Sequence, residues 1–325
     1  MPPQVLERSV YPFLGKKSSR VIVGPGIGRD AAMVRFDDRV LVFSTDPITG
    51  ATKHIGRHAV HVNANDVAVT GARPLWFLCT ILVPPGSTEQ NLKGIMNEVH
   101  LEAKKLGVMV IRGHTEATPG LKHPIIAGFM IGESKSRQLF TPGGTQQGDH
   151  IIITKTAGIE GTAVLAADYS KLLKERGVDE PTIRRAGAFM NRISIVPEAH
   201  IAASLSGVTA MHDPTEGGLL NGLWELGEAS GRGIEVDAEL IPVAPETRKI
   251  CDSLGLDPLK LLGSGSLVIA CRPTRSASIL GQLKLNGISA IRIGHIKRRR
   301  NDRTIFRNGR VAALVPVPRD ELYSV

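Results

Sequence analysis

Apolar positions alternate with polar ones over residues 20–24, 31–36 and 40–46, and the turn residues Asp37-Asp38 separate the last two runs. That pattern predicts a short strand and then strand, turn, strand. From about Lys53 to Val69 the period lengthens to that of a helix. Residues 75–83 (Leu-Trp-Phe-Leu-Cys-Thr-Ile-Leu-Val) read as a buried strand. Pro84-Pro85-Gly86 stops it, and Ser87 or Thr88 can cap a helix running to about Leu106. Val108–Arg112, ending at Gly113, and Pro124–Glu133 predict two more strands. Thr141-Pro142-Gly143-Gly144 and the polar residues to Asp149 punctuate the chain most strongly. Beyond them a strand is expected at His150–Thr154. Helices are expected near 160–174, 181–191, 197–206 and 216–230. Further strands are expected near 207–211, 233–237, 266–271, 289–293 and 311–315, with an Asn308-Gly309 hairpin turn. A chain of 325 residues with this mixture is read as α/β, in two domains, residues 1–145 and 146–325.

Candidate chemistry begins with Gly24-Pro25-Gly26-Ile27-Gly28-Arg29-Asp30. Glycines at alternate positions let backbone N–H groups approach a phosphate. A dinucleotide loop would open a helix, and here a hairpin follows. A P-loop needs G-x4-G-K-[ST], which Gly15-Lys16-Lys17 does not supply. A plain glycine-rich turn is the remaining alternative. Acids recur near strand ends or turns: Asp30, Asp46, Asp66 on the first long helix, and Asp213 in His-Asp-Pro-Thr-Glu-Gly-Gly. Hard oxygen donors beside a phosphate-binding backbone suit magnesium. Each acid alone could be a cap or turn residue, and spacing does not prove that they converge. Arg112-Gly113-His114-Thr115-Glu116 adds polar groups after a strand.

Gly26-Ile27-Gly28-Arg29-Asp30-Ala31-Ala32 resembles the GxGDDAA signature of proteins related to aminoimidazole ribonucleotide (AIR) synthase, the PurM-like superfamily. Ser44-Thr45-Asp46-Pro47, Asn63-Ala64-Asn65-Asp66-Val67-Ala68 with Gly71-Ala72-Arg73-Pro74, Asp213-Pro214-Thr215-Glu216-Gly217-Gly218 and Gly263-Ser264-Gly265-Ser266-Leu267 resemble its hydrogenase-maturation branch, HypE. The resemblance implies an N-terminal dimerising α/β domain, a C-terminal α/β domain and ATP in the cleft between them. It implies magnesium and phosphate roles for Asp30, Asp46 and Asp66, nucleotide contacts for Gly26, Gly28, Asn63 and Asn65, and catalytic positions for Asp213 and His114. The chemistry it implies is activation of an amide-type or other acceptor by phosphoryl transfer, in a homodimer. Arg29 departs from the signature, where relatives carry another acid. HypE proteins end in a reactive cysteine, whereas residues 320–325 here are Asp-Glu-Leu-Tyr-Ser-Val and the last cysteine is Cys271. The acceptor is therefore left unassigned.

Charge and composition adjust this picture little. A formal charge of +9, with the block Lys297-Arg298-Arg299-Arg300-Asn301-Asp302-Arg303 read as an exposed hairpin tip, keeps open a second class: a non-catalytic scaffold binding nucleic acid or protein. Only 4% of residues are aromatic, which argues against stacking platforms for single strands. No apolar run approaches about 18 residues, so no membrane span is expected. Residues 1–8 show no leader pattern and the three cysteines form no framework, so the expected location is cytoplasmic. His54, His58 and His61 share one helix face. They are read as a polar face near a dimer interface rather than a transition-metal site. Cys79, Leu220, Leu223 and Trp224 are read as core.

Overall fold

The computed structural model describes residues 3–135 and 139–325; Met1 and Pro2, part of the segment read for a leader, lie outside them. Two mixed seven-stranded sheets divide the chain. The first half runs α1 (Pro3–Ser9), β1 (Val21–Val23), β2 (Ala32–Phe36), β3 (Arg39–Ser44), β4 (Pro47–Ile48), α2 (Ile55–Ala68), β5 (Arg73–Val83), α3 (Glu89–Leu106), β6 (Met109–Ala117) and β7 (Ile125–Lys135). The strand order is β1-β2-β3-β7-β5-β6, with β4 paired to β7. Asp37 takes a left-handed φ of 53° in the β2–β3 turn, as a short acid tolerates. Thr88 and Asn91 form a reciprocal cap on α3. β6 runs on through Gly113, where it was expected to stop, because a Cβ there would lie 2.4 Å from the Cys79 carbonyl of the neighbouring strand.

The second half contains β8 (His150–Thr154), α4 (Ile159–Asp168), α5 (Ser170–Glu175), α6 (Glu180–Gly187), α7 (Val196–Ser204), β9 (Val208–His212), α8 (Gly218–Ser230), β10 (Gly233–Asp237), α9 (Pro245–Leu254), β11 (Val268–Cys271), α10 (Pro273–Leu285), β12 (Ala290–Lys297), β13 (Arg303–Arg307) and β14 (Arg310–Ala313). Its order is β14-β13-β10-β12-β8-β11-β9. The helix expected over 160–174 is two helices, and that over 181–191 ends in a 3-10 turn at Ala188–Arg192. Asn308 and Gly309 both have positive φ and join β13 to β14, as the dipeptide predicted. The basic block is not a hairpin tip. β10 lies between β12 and β13, antiparallel to one and parallel to the other, so residues 298–302 are a crossover past it. Within and beside the block, Lys297 pairs with Glu235, and Arg300 and Arg303 both pair with Glu228.

The helices cover the two sheets unequally. The C-terminal sheet buries residues of both faces, for example Ile151 and Ile153 towards one cluster and Ile152 towards another. In the N-terminal sheet, α2 packs against the face carrying Ile126, Gly128, Met130 and Gly132; a Cβ on either glycine would strike Asn63 or Val67. The opposite face carries Leu41, Phe43, Leu78, Phe129 and Ile131 and is only half-buried. Cys79, Leu220, Leu223 and Trp224 are core residues, as read from the sequence.

Helix α2 is the main bridge between the halves. The Asn65 amide donates to the Ile193 carbonyl at 3.0 Å and accepts from the Ile195 N–H at 2.9 Å. Arg57 donates to Asn191 at 2.8 Å, and His58 Nδ1 lies 2.9 Å from Glu160 on α4. The three histidines do not share one face: His58 turns to the C-terminal half, His61 turns to Glu102 on α3, and His54, just before α2, meets Glu98. The buried His58 and His61 each meet a carboxylate, because burying an imidazole is tolerated only with a hydrogen-bond partner; His54 is exposed.

Candidate functional site

The glycine loop passes from β1 to β2 across the N-terminus of neither, but over α8. Gly28 has φ 67°, and a Cβ there would lie 2.9 Å from the Glu225 carbonyl. Only glycine permits both the conformation and the approach. This contact turns the chain inward and delivers Asp30 to His212, at the end of β9. His212 Nδ1 is 2.7 Å from Asp30 Oδ1, and Nε2 is 3.1 Å from Glu225 Oε2. An imidazole donates from both nitrogens only when protonated. Burial alone favours the neutral ring, but the two carboxylates outweigh it and hold the His212 pKa well above the ordinary value.

Asp46 follows β3, and α2 fixes its backbone. Asn63 accepts from the Asp46 N–H at 2.9 Å and donates to the Asp46 carbonyl at 3.2 Å. Asp66, one helical turn along, receives a 2.6 Å hydrogen bond from Ser44 Oγ. Burial raises the Asp66 pKa well above the carboxylate range, and the charge of Asp46 adds to it. Asp46 and Asp30 are also raised, again chiefly by burial. Asp213 is buried just past His212, and neither of its carboxylate oxygens has a hydrogen-bond partner. Burial and the charge of Asp30 push its pKa well up.

Two adjoining cavities open here. The smaller, of about 220 Å³, is lined by Gly26, Gly28, Asp30, Asp46 and Asp66 together with His212 and Glu225. The larger, of about 320 Å³, shares Asp46 and Thr215 with it and extends past Glu160, Glu216, Ser264 and Tyr323. Five of the residues expected to act together thus line one concavity. Asn63, Asn65, His114 and Asp213 line neither cavity, Asp213 being buried just past His212. The Asn63 and Asn65 amides are spent on backbone groups, positioning Asp46 and joining the halves. His114 lies on the edge strand β6 with its side chain 65% exposed, beside Glu116. Arg29 folds back on its own loop and donates to the Gly24 carbonyl at 2.9 Å, so its charge caps the loop.

Among the described residues, no three His, Cys, Asp or Glu side chains are gathered as a ready metal cage. Magnesium does not need one. It keeps waters and takes one or two carboxylates together with substrate phosphates. The acids fit such an ion, since Asp46, Asp30 and Asp213 all act on Asp66 as like charges that a cation would offset. His212, Glu160, Glu216, Ser264 and Tyr323 did not emerge from the sequence as site residues. His212 carried a signal, as the neighbour of Asp213 at a strand end, and Glu216 and Ser264 lay inside recognised motifs; Glu160 and Tyr323 carried none.

Residues 28–134 match the AIR synthase related protein N-terminal domain, and residues 146–307 its C-terminal domain. A putative hydrogenase expression/formation protein of Methanocaldococcus jannaschii is 32% identical over 280 residues, 83% of this chain and 80% of the relative. Carbamoyl dehydratase HypE of Cupriavidus necator is 31% identical over 247 residues, 74% of this chain and 67% of the relative. A crystal structure of the hydrogenase maturation protein HypE in complex with ATP superposes with a TM-score of 0.72 at 21% identity, covering 97% of this chain and 95% of that one, a likeness of fold. With its bilobal α/β architecture and these matches, the chain belongs to the AIR synthase-related, PurM-like superfamily, among relatives of the HypE type.

Proposed function

We propose that this protein is an ATP-dependent enzyme that activates an acceptor by phosphoryl transfer, with residues 1–145 and 146–325 as its two domains. The observation that carries this reading is the convergence of the glycine loop, the half-buried Asp30 and Asp46 and the buried Asp66 on one cavity. HypE-type relatives and a HypE structure with ATP support the nucleotide. The loop's backbone N–H groups offer a phosphate cradle, with the Arg29 side chain folded over Gly26 at its edge. Asp30, Asp46 and Asp66 would hold magnesium, which supplies charge neutralisation at the phosphates. His212 pairs with Asp30 through Nδ1 and with Glu225 through Nε2, and Asn63 fixes the backbone of Asp46. Asp213 is buried behind the site beside His212, and burial and the charge of Asp30 raise its pKa. Glu216 and Thr215 face the space that an acceptor would enter. Phosphoryl transfer asks for this positioning and electrostatics, not for a protein nucleophile.

Asp46→Ala is expected to abolish magnesium-dependent ATP binding, read by titration calorimetry with and without magnesium. Unchanged affinity would sink the proposed site. The half-buried apolar face around Phe43 and Phe129 supports a homodimer through the N-terminal sheet; a monomer at micromolar concentration in sedimentation equilibrium would contradict it. The three free, buried cysteines are in keeping with a cytoplasmic location. Among the described residues, no helix is long and apolar enough to cross a membrane.

A further inference from the structure

The larger cavity differs in charge from the rest of the molecule. The chain carries a formal charge of +9, yet the ionisable side chains lining this space are Asp46, Glu160, Glu216 and the phenol of Tyr323, with no lysine, arginine or histidine. The acids are held apart by separate anchors. His58 engages one oxygen of Glu160 at 2.9 Å, Tyr323 donates to Glu216 at 3.4 Å, and Asn63 binds the Asp46 backbone. A second feature is independent of the acids. Ser264 is fully buried, lines the same cavity, and its hydroxyl has no hydrogen-bond partner. A buried hydroxyl left unpaired costs stability, so a group that donates to or accepts from it is favoured on entry. Apolar walls from Ile48, Val62 and Leu262 close the remaining sides.

We infer that this cavity is the acceptor subsite and that it recognises a cationic, N–H-rich nitrogen group on the acceptor, an amidinium, guanidinium or ammonium, which stays protonated and is not the atom that receives the phosphoryl group. The inference rests on the ATP-dependent reading above and deepens it by naming the acceptor's chemical class. Carboxylates at several corners and no cation disfavour a phosphate or carboxylate by like-charge repulsion, whereas N–H donors from a planar cation satisfy them with charge-assisted hydrogen bonds. Ser264 then reads the face of the group that the acids leave free. The nucleotide occupies the adjoining glycine-loop cavity, and the two ligands meet at Asp46 and Thr215, the residues common to both spaces.

The test is calorimetric titration of the full chain with methylguanidinium, the neutral isostere methylurea and acetate. Each is run with and without magnesium and a non-hydrolysable ATP analogue. Methylguanidinium is expected to bind at least about tenfold more tightly than methylurea, and acetate to give no heat. Glu216→Gln, a change at an exposed side chain that leaves the core intact, and Ser264→Ala are each expected to weaken methylguanidinium by about tenfold, the low end for a charge-assisted bond. Equal binding of methylurea, or variants that bind methylguanidinium as the parent does, would overturn the inference. So would competition with the ATP analogue, since the cavity would then belong to the nucleotide. If the analogue fails to bind while the carboxylate-dependent guanidinium site persists, the nucleotide reading falls and the cation pocket stands.

Discussion

Glu102 and Asp66 are carboxylates of the same half of the molecule, 4% and 3% exposed, and their protonation equilibria move in opposite directions. Glu102 faces His61 Nε2 at 3.1 Å, Lys105 Nζ at 2.9 Å and Arg57 Nε at 3.0 Å. Its pKa is lowered to about 2, first by the His61 hydrogen bond, then with Lys105 and Arg57 acting against the cost of burial. Asp66 has one hydroxyl and another acid for neighbours, and its pKa rises. Similar exposure, with Asp66 the more deeply set and the partners unequal, separates two uses of a buried acid. In the α2–α3 network the protein supplies the countercharge, so the group is part of the scaffold. In the cleft the protein withholds it, so the group is compensated only by something that arrives. Perturbed acids of the second kind mark functional sites more often than those of the first.

The largest effect expected from breaking this contrast is at the cleft. Asp46→Ala removes ATP binding and, because it also removes repulsion from Asp66, leaves the melting temperature unchanged or raised. A fall in stability with retained ATP binding would place Asp46 with the scaffold acids instead.

The converse change ranks second. Glu102→Ala leaves His61, Arg57 and Lys105 without their shared acceptor, and breaking a buried pair from one side typically costs about 3–5 kcal/mol. Urea denaturation should show that loss, while the folded fraction binds magnesium–ATP with its original affinity. A stability change below about 1 kcal/mol would mean that the network is as expendable as surface pairs.

The contrast was half legible in the sequence. Alternation and turn residues revealed β2, β3 and the helix capped by Thr88, because those signals are local. α9 and α10 were missed. Each starts with proline and buries a narrow stripe (Thr247, Ile250 and Cys251; Ser276, Ile279 and Leu283), too thin to stand out among polar neighbours. The false hairpin at 297–303 shows the same limit from another side, since a strand pattern names no partner and β10 came between. Asp30, Asp46 and Asp66 were visible as acids near turns and through their motifs. Their convergence on His212 and Glu225 depends on the docking of the loop on α8, made by Gly28 against a backbone carbonyl far along the chain. Asn63 and Asn65 were recognised through their motif, but a motif does not say which way a side chain turns, and both amides turn to backbone. Glu160, Ser264 and Tyr323 come from three separate segments and share a wall only after folding.

The smallest effect is the one that reads both kinds of acid in a single experiment. Asp30, Asp46, Asp66 and Asp213 have folded pKa values raised above the unfolded value of about 3.9, so their ionisation opposes folding. That cost is absent at low pH and grows as pH rises from about 4 through their folded values. Glu102 has the opposite sign: its contribution is full above the unfolded value of about 4.3 and is lost as pH falls towards about 2. Magnesium binds the ionised cleft acids and so restores only the first loss. At a concentration ten times its Kd it should contribute about 1.4 kcal/mol, a rise on the order of 2–4 °C in Tm. The rise should be larger at pH 8 than at pH 5, where protons compete for the same oxygens. Differential scanning calorimetry across that range decides it. Asp46→Ala should lose the magnesium-dependent rise and Glu102→Gln should keep it. A rise that is equal at both pH values, or that survives Asp46→Ala, would mean that magnesium acts outside the cleft and that the raised acids there are not its ligands.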